Sequence, residues 1–150
     1  MSGRHEEEAA MAGDTDSDTD SDHAAGAAPA ESVVRAYWER VWLERDLDAL
    51  EDLVTDPVVR HTAEGTQPLT RDEYRRRLAG AFEAVRATEV SIDSIAADGP
   101  LAWVRLTVRG VSLATAAPLS LAWLGQYRIE DGRIAELWAL HQPGADWSAR

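Results

Sequence analysis

Two histidines carry most of the acid–base potential of this 150-residue chain beyond its first thirty residues. His61 closes the short β-branched run Val58-Val59-Arg60-His61, and His141 closes the run that begins at Arg133. An imidazole titrates near neutral pH, so either residue can take or give a proton without a cofactor. Enolisation, aldol cyclisation and dehydration need one such group and a second that stabilises an oxyanion. An Arg guanidinium or a Trp N–H can fill the second role. The competing reading is structural, since a histidine at a strand end is also an ordinary surface or hydrogen-bonded residue. His5 and His23 fall in a strongly polar segment and are set aside. The chain has no cysteine, which excludes disulfides, thiolate metal sites and Cys nucleophiles. Glu64, Asp93 and Glu136 have no partner at a spacing that marks a catalytic carboxylate pair. The acid-and-hydroxyl run from Asp14 to Asp22 lacks the Gly and terminal Glu of a calcium loop. Neither a metal nor a cofactor is expected.

A site also needs walls. Leu119, Leu121, Trp123, Tyr127 and Ile129 share one face of an alternating run interrupted by Gly125, which reads as a bulge. Tyr37, Trp38 and Trp42 lie on an early helical stretch. Together these aromatics can line a cavity or simply fill a core, and Trp38 and Trp123 are the first choices for ligand contact. Arg105 and Arg109 alternate with Trp103 and Thr107 on another strand, opposite Ala102, Val104, Leu106 and Val108. That alternation sends the arginines to solvent or to a partner subunit.

The elements that must hold these residues follow from periodicity. Residues 31–44 place Val34, Trp38, Val41 and Trp42 at helical spacing, and Asp46 stands before a second short helix containing Leu47, Leu50, Leu53 and Val54. Asp56-Pro57 ends it, and 58–61 reads as a strand followed by a loop over 64–69. Thr70-Arg71-Asp72-Glu73 is a capping box opening a helix to about Arg86, with the Arg75–Arg77 run on its solvated face. The period then changes to two. Segments 89–95, 101–111, 119–130 and 133–141 are predicted strands, separated by turns such as Asp98-Gly99-Pro100 and Asp131-Gly132. Three helices followed by a strand meander describe an α+β domain, with one curved antiparallel sheet packed against helices.

Charge narrows the partners. Acidic residues number 27 against 15 basic ones, a formal charge of −12, which disfavours nucleic acid and anionic membranes. No apolar run approaches the ~20 residues that span a bilayer. The acidic start has no signal-peptide character, so a cytoplasmic protein is expected. Residues 1–30 carry Arg4 against eight acids and almost no large apolar side chain, the signature of a disordered acidic tail. The domain is expected over 31–142, with a short tail over 143–150. Every basic residue is Arg, which suggests GC-rich coding and says little of function.

Three segments carry a resemblance: Val33-Val34-Arg35-Ala36-Tyr37-Trp38, Arg45-Asp46-Leu47-Asp48-Ala49-Leu50 and Asp56-Pro57-Val58-Val59-Arg60-His61. With the closing run from Gly125 to Trp138 they resemble nuclear-transport-factor-2-like domains, most closely the SnoaL-like polyketide cyclase branch, over about residues 31–142. The resemblance implies a cone-shaped barrel enclosing a pocket for a hydrophobic small molecule. It also implies a homodimer formed through the outer sheet face, and it turns Trp103 and Arg105 toward the pocket, against the alternation. It does not fix the activity, because isomerases, cyclases, dehydratases, epoxide hydrolases and non-catalytic binders share this fold. The positions that carry the ketosteroid isomerase acids fall near Thr62 and Gly125, and neither is a carboxylate. The cyclase Asp expected just beyond Trp138 is replaced by Ala139-Leu140-His141-Gln142. The chemistry therefore falls to His141 or His61.

Overall fold

The computed structural model describes residues 29–148. The expected acidic tail lies outside these residues except at its end. There, residues 29 and 30 are already helical and Ala30 is buried in the core.

Helix α1 runs regularly over residues 29–36 and continues in wider turns over Tyr37–Leu43. In these turns the hydrogen bonds run between residues five apart, and the last is donated by Glu44 N–H to the Glu39 carbonyl at 2.9 Å. The widening has a consequence for the site. Tyr37 and Trp42, five residues apart, come to the same side, and the Trp42 indole N–H donates to the Tyr37 hydroxyl at 3.2 Å. A 3₁₀ turn over Leu47–Ala49 leads into α2 (Leu50–Leu53). Asp46 precedes it but makes no side-chain cap.

Helix α3 (Arg71–Ala84) starts as its capping residue predicts, with the Thr70 hydroxyl accepting from Glu73 N–H at 3.1 Å. It stops two residues short of the expected end. Arg45 donates to the carbonyls of Phe82 (2.6 Å) and Val85 (3.0 Å), placing a cation where the helix dipole is negative. Arg71 ties the other end down, donating from Nε and Nη2 to the Val54 carbonyl.

Six strands form one sheet in the order β2-β1-β6-β5-β4-β3: β1 (Val54–Thr62), β2 (Gly65–Leu69), β3 (Val85–Asp98), β4 (Leu101–Ser112), β5 (Pro118–Glu130) and β6 (Arg133–Pro143). Two features differ from expectation. The sheet is mixed, because β1 pairs parallel with β6, Arg60 beside Leu137 and His61 beside Trp138. The segment expected as a loop is β2, which pairs Leu69 with Val58 and Thr66 with His61. Pro68 is tolerated there because β2 is an edge strand.

Alternation then sorts the side chains. Ala102, Val104, Leu106 and Val108 of β4 point to the helix-covered face and are buried, with Trp103 and Arg105 on the opposite face. At Gly110 the β3 backbone comes so close that a Cβ would lie 2.2 Å from the Arg86 carbonyl oxygen, so only glycine fits. The described residues after β6, 144–148, are tied to β4. Trp147 N–H donates to the buried Thr107 hydroxyl at 3.1 Å, and Arg109 binds Asp146 and Ser148, each at 2.8 Å. No helix among the described residues is long and apolar enough to cross a membrane.

Candidate functional site

Between α1, α3 and the sheet lies a cavity of about 290 Å³. That is near the lower end of the ~300–1,000 Å³ range of ligand pockets. Its walls are mostly apolar: Leu78 and Ala81 from α3, Val108 from β4, Leu119 and Leu121 from β5, and Leu137 from β6. The polar contributions come from Tyr37, Trp42, Arg60, Tyr74, Arg77, Trp123, Tyr127 and His141.

His141 reaches the mouth of this cavity on the same side of β6 as Leu137. Its ring lies parallel to the cross-strand Trp123 indole, with centroids 5.4 Å apart and planes at 14°. The imidazole has no hydrogen-bond partner among the described residues, so both nitrogens are open to a ligand.

Tyr37 and Tyr74 share a hydrogen bond of 2.5 Å deep in the cavity wall. The pair has two phenolic protons and uses one between them, while Trp42 N–H supplies a further donor to Tyr37. One O–H therefore stays available to an oxygen of a bound molecule. Burial pushes the Tyr37, Tyr74 and Tyr127 hydroxyls up from the usual phenol range, which keeps all three protonated as donors at neutral pH. The Trp38 N–H donates to the Tyr127 hydroxyl at 3.2 Å. The Trp123 N–H faces the same hydroxyl without closing a hydrogen bond.

Gly125 sits between Trp123 and Tyr127 on this wall. Its pairing with Val104 and Ala139 is regular, so it is not a bulge. A Cβ there would lie 3.0 to 3.2 Å from the Tyr127 ring, its hydroxyl and the Trp123 N–H. The glycine makes room for two aromatic rings to close over the strand.

Arg60 was not anticipated. It lies one residue before His61, on the same side of β1 as the buried Val58, and its Nε and Nη1 are buried without any hydrogen-bond partner. Its guanidinium carbon stands 5.7 Å from the centroid of the Tyr74 ring. Arg77, read as part of a solvated arginine run, stands at the mouth paired with Glu64 at 3.0 Å.

Four of the expected site residues lie elsewhere. Adjacent residues on a strand face opposite ways, so with Arg60 inside, His61 is outside. Its Nε2–H donates to Glu136 at 2.7 Å, its Nδ1 shares a hydrogen bond of 2.8 Å with the Thr66 hydroxyl, and its ring stacks on Trp138 with centroids 4.9 Å apart. The His61 ring, and with it Arg128, holds the Glu136 carboxyl below the usual carboxylate range. Trp103 and Arg105 line a shallow groove on the outer face with Leu124, Trp138 and Leu140, turned away from the cavity by strand alternation. Trp38, a first choice for ligand contact, is almost wholly buried behind the wall, stacked on Trp42 (5.4 Å) and edge-on to Trp123 (5.2 Å). Of the expected residues, Tyr37, Trp42, Trp123, Tyr127 and His141 come together around the cavity.

A mixed sheet folded against three helices around one cavity is the nuclear-transport-factor-2-like architecture, and solved structures bear this out. Wild-type IdmH of Streptomyces antibioticus is similar at 21% identity and a TM-score of 0.63, covering 75% of this chain and 91% of its own. A SnoaL-like polyketide cyclase from Agrobacterium tumefaciens matches at 17% identity and a TM-score of 0.63, over 75% of this chain and 91% of that one. An LEH-like epoxide hydrolase of M. tuberculosis matches at 19% identity and a TM-score of 0.65, over 77% of this chain and 84% of that one. The SnoaL-like domain family matches residues 34–137, and the chain belongs to that family. No curated protein matches the sequence.

Proposed function

We propose that the cavity binds a small, hydrophobic, oxygenated molecule, and that His141 moves a proton on it in a cofactor-free cyclisation, isomerisation or dehydration. The observation that carries this reading is the unpartnered His141 ring at the mouth of an apolar cavity whose far wall holds a spare phenolic O–H. A base at one end and a neutral donor at the other are the two groups that enolisation needs. The similar cyclase and epoxide hydrolase structures lend the fold to such chemistry without naming the substrate. The probe 2-acetylnaphthalene, a bicyclic ketone, should quench indole fluorescence saturably. Ala81→Trp, which fills the cavity from α3, should abolish the quenching while leaving the fold intact. No saturation by the unaltered protein at millimolar probe would refute the reading.

A second reading, a non-catalytic binder, is favoured by the lining itself, which includes no Asp or Glu. It keeps the titration result and differs only in turnover.

The outer face is proposed as a homodimer contact. Trp103 is 42% exposed, Leu124 49% and Leu140 64%, and all three line one groove with Trp138. Contiguous apolar surface of this kind marks an interface. Sedimentation at micromolar concentration should give twice the chain mass, and Leu140→Glu should give the monomer. An unaltered protein that sediments as a monomer would contradict the contact.

A further inference from the structure

Arg60 is half-buried, and two nitrogens of its guanidinium need an explanation. Its Nε and Nη1 are shut off from solvent and bonded to nothing. An unpaired buried charge is costly, so such groups normally find a carboxylate or a carbonyl within the fold. No such bond is closed here: Gln67, its cross-strand neighbour on β2, has a buried Oε1 that is itself without a hydrogen-bond partner. The cavity lining holds no acid. Glu64, on the turn after β1, is taken by Arg77 at 3.0 Å, and Glu136 is taken on the outer face by His61 and Arg128. The Tyr74 ring offers the guanidinium a π face, and the field of the cation reaches the Tyr37 and Tyr74 hydroxyls and the Glu64 carboxylate without a hydrogen bond to any of them. Most of the surrounding wall is apolar, so the field of this cation is less screened there than in water.

We propose that Arg60 anchors a carboxylate of the ligand, so that the class of molecule the cavity takes is a compact, planar, hydrophobic carboxylate. The inference rests on the reading that this cavity is the ligand site. A carboxylate brings the acceptor oxygens and the negative charge that the guanidinium lacks, and charge-assisted bonds of this type are about twice as strong as neutral ones. The apolar remainder would lie between Leu78 and Ala81 on one side and Leu121 and Leu137 on the other. The arrangement trades stability for recognition: empty, the cation burdens the fold, and occupied, it selects.

Two probes of nearly the same shape test this: 2-naphthoate, ionised at pH 7.5, and the neutral 2-acetylnaphthalene, each titrated by indole fluorescence. The unaltered protein should bind the carboxylate at least tenfold more tightly. Arg60→Met should abolish that preference, keep affinity for the ketone within about threefold, and melt a few degrees higher without ligand, because a buried unpaired charge is gone. Arg60→Lys, which keeps the charge, should keep the preference. Arg75→Met makes the same charge change on the exposed face of α3, where Arg75 pairs with Asp48, and should leave both affinities unchanged. Equal affinities in the unaltered protein, or a preference that survives Arg60→Met, would overturn the role of Arg60 and leave the cavity reading standing. Failure of both probes to bind the unaltered protein would overturn the two together.

Discussion

Trp38→Ala should cost about 3–5 kcal/mol of folding stability, the range for truncating a large buried aromatic. For a chain of this size that corresponds to a melting temperature roughly 10–20 °C lower. Trp38 is 1% exposed and joins α1 to β5: it stacks on Trp42 within α1, and on β5 it meets Trp123 edge-on and donates to the Tyr127 hydroxyl. Alanine would leave a void behind the cavity wall and an unpaired phenol inside it. Trp38→Phe should cost less, because it keeps most of the apolar contact and loses only the N–H. Thermal unfolding monitored by circular dichroism checks both variants. A Trp38→Ala protein within a degree or two of the unaltered one would show that α1 is not held to the sheet through this residue.

His141→Gln should reduce proton transfer by about 10²–10⁴-fold, the usual contribution of a positioned general acid or base. The reporter is 2-tetralone, whose C1 methylene is acidified by both the ketone and the ring. In deuterium oxide the unaltered protein should accelerate exchange at that position above buffer. His141→Gln should remove most of the acceleration while leaving binding of 2-tetralone within about threefold. His61→Gln should leave the exchange unaltered, since His61 is committed to Glu136 and Thr66 on the far side of the sheet. Acceleration that survives His141→Gln would favour another base, and no acceleration by the unaltered protein would favour the non-catalytic binder.

Local pattern made much of this architecture readable. The Thr70 cap, the β4 alternation and the inward face of β5 are short-range features, and each stands in the fold as its residues suggest. What stayed hidden was long-range or irregular. The parallel pairing of β1 with β6 joins segments some eighty residues apart and leaves no local mark. Strand β2 carries Gly65 and Pro68, residues that read as loop and are admitted because β2 is an edge. The i→i+5 turns of α1 matter most for the site. Regular helical spacing puts Trp38 and Trp42 on one stripe as equals, whereas the widened turns send Tyr37 and Trp42 to the cavity and keep Trp38 behind it. Arg60 did leave a signal. Val58 and Arg60 share one side of a strand and His61 takes the other, so a buried Val58 already excludes His61 from the interior.

The central claim is that the ligand occupies the cavity beneath α1 and α3 and not the groove on the outer face. Methyl-resolved NMR of the protein titrated with 2-naphthoate tests it directly. Methyl signals of Leu78, Val108, Leu121 and Leu137, which line the cavity, should shift progressively and show contacts to naphthyl protons, while those of Leu124 and Leu140 on the outer face stay in place. Shifts confined to Leu124 and Leu140, with the cavity methyls unmoved, would contradict the account.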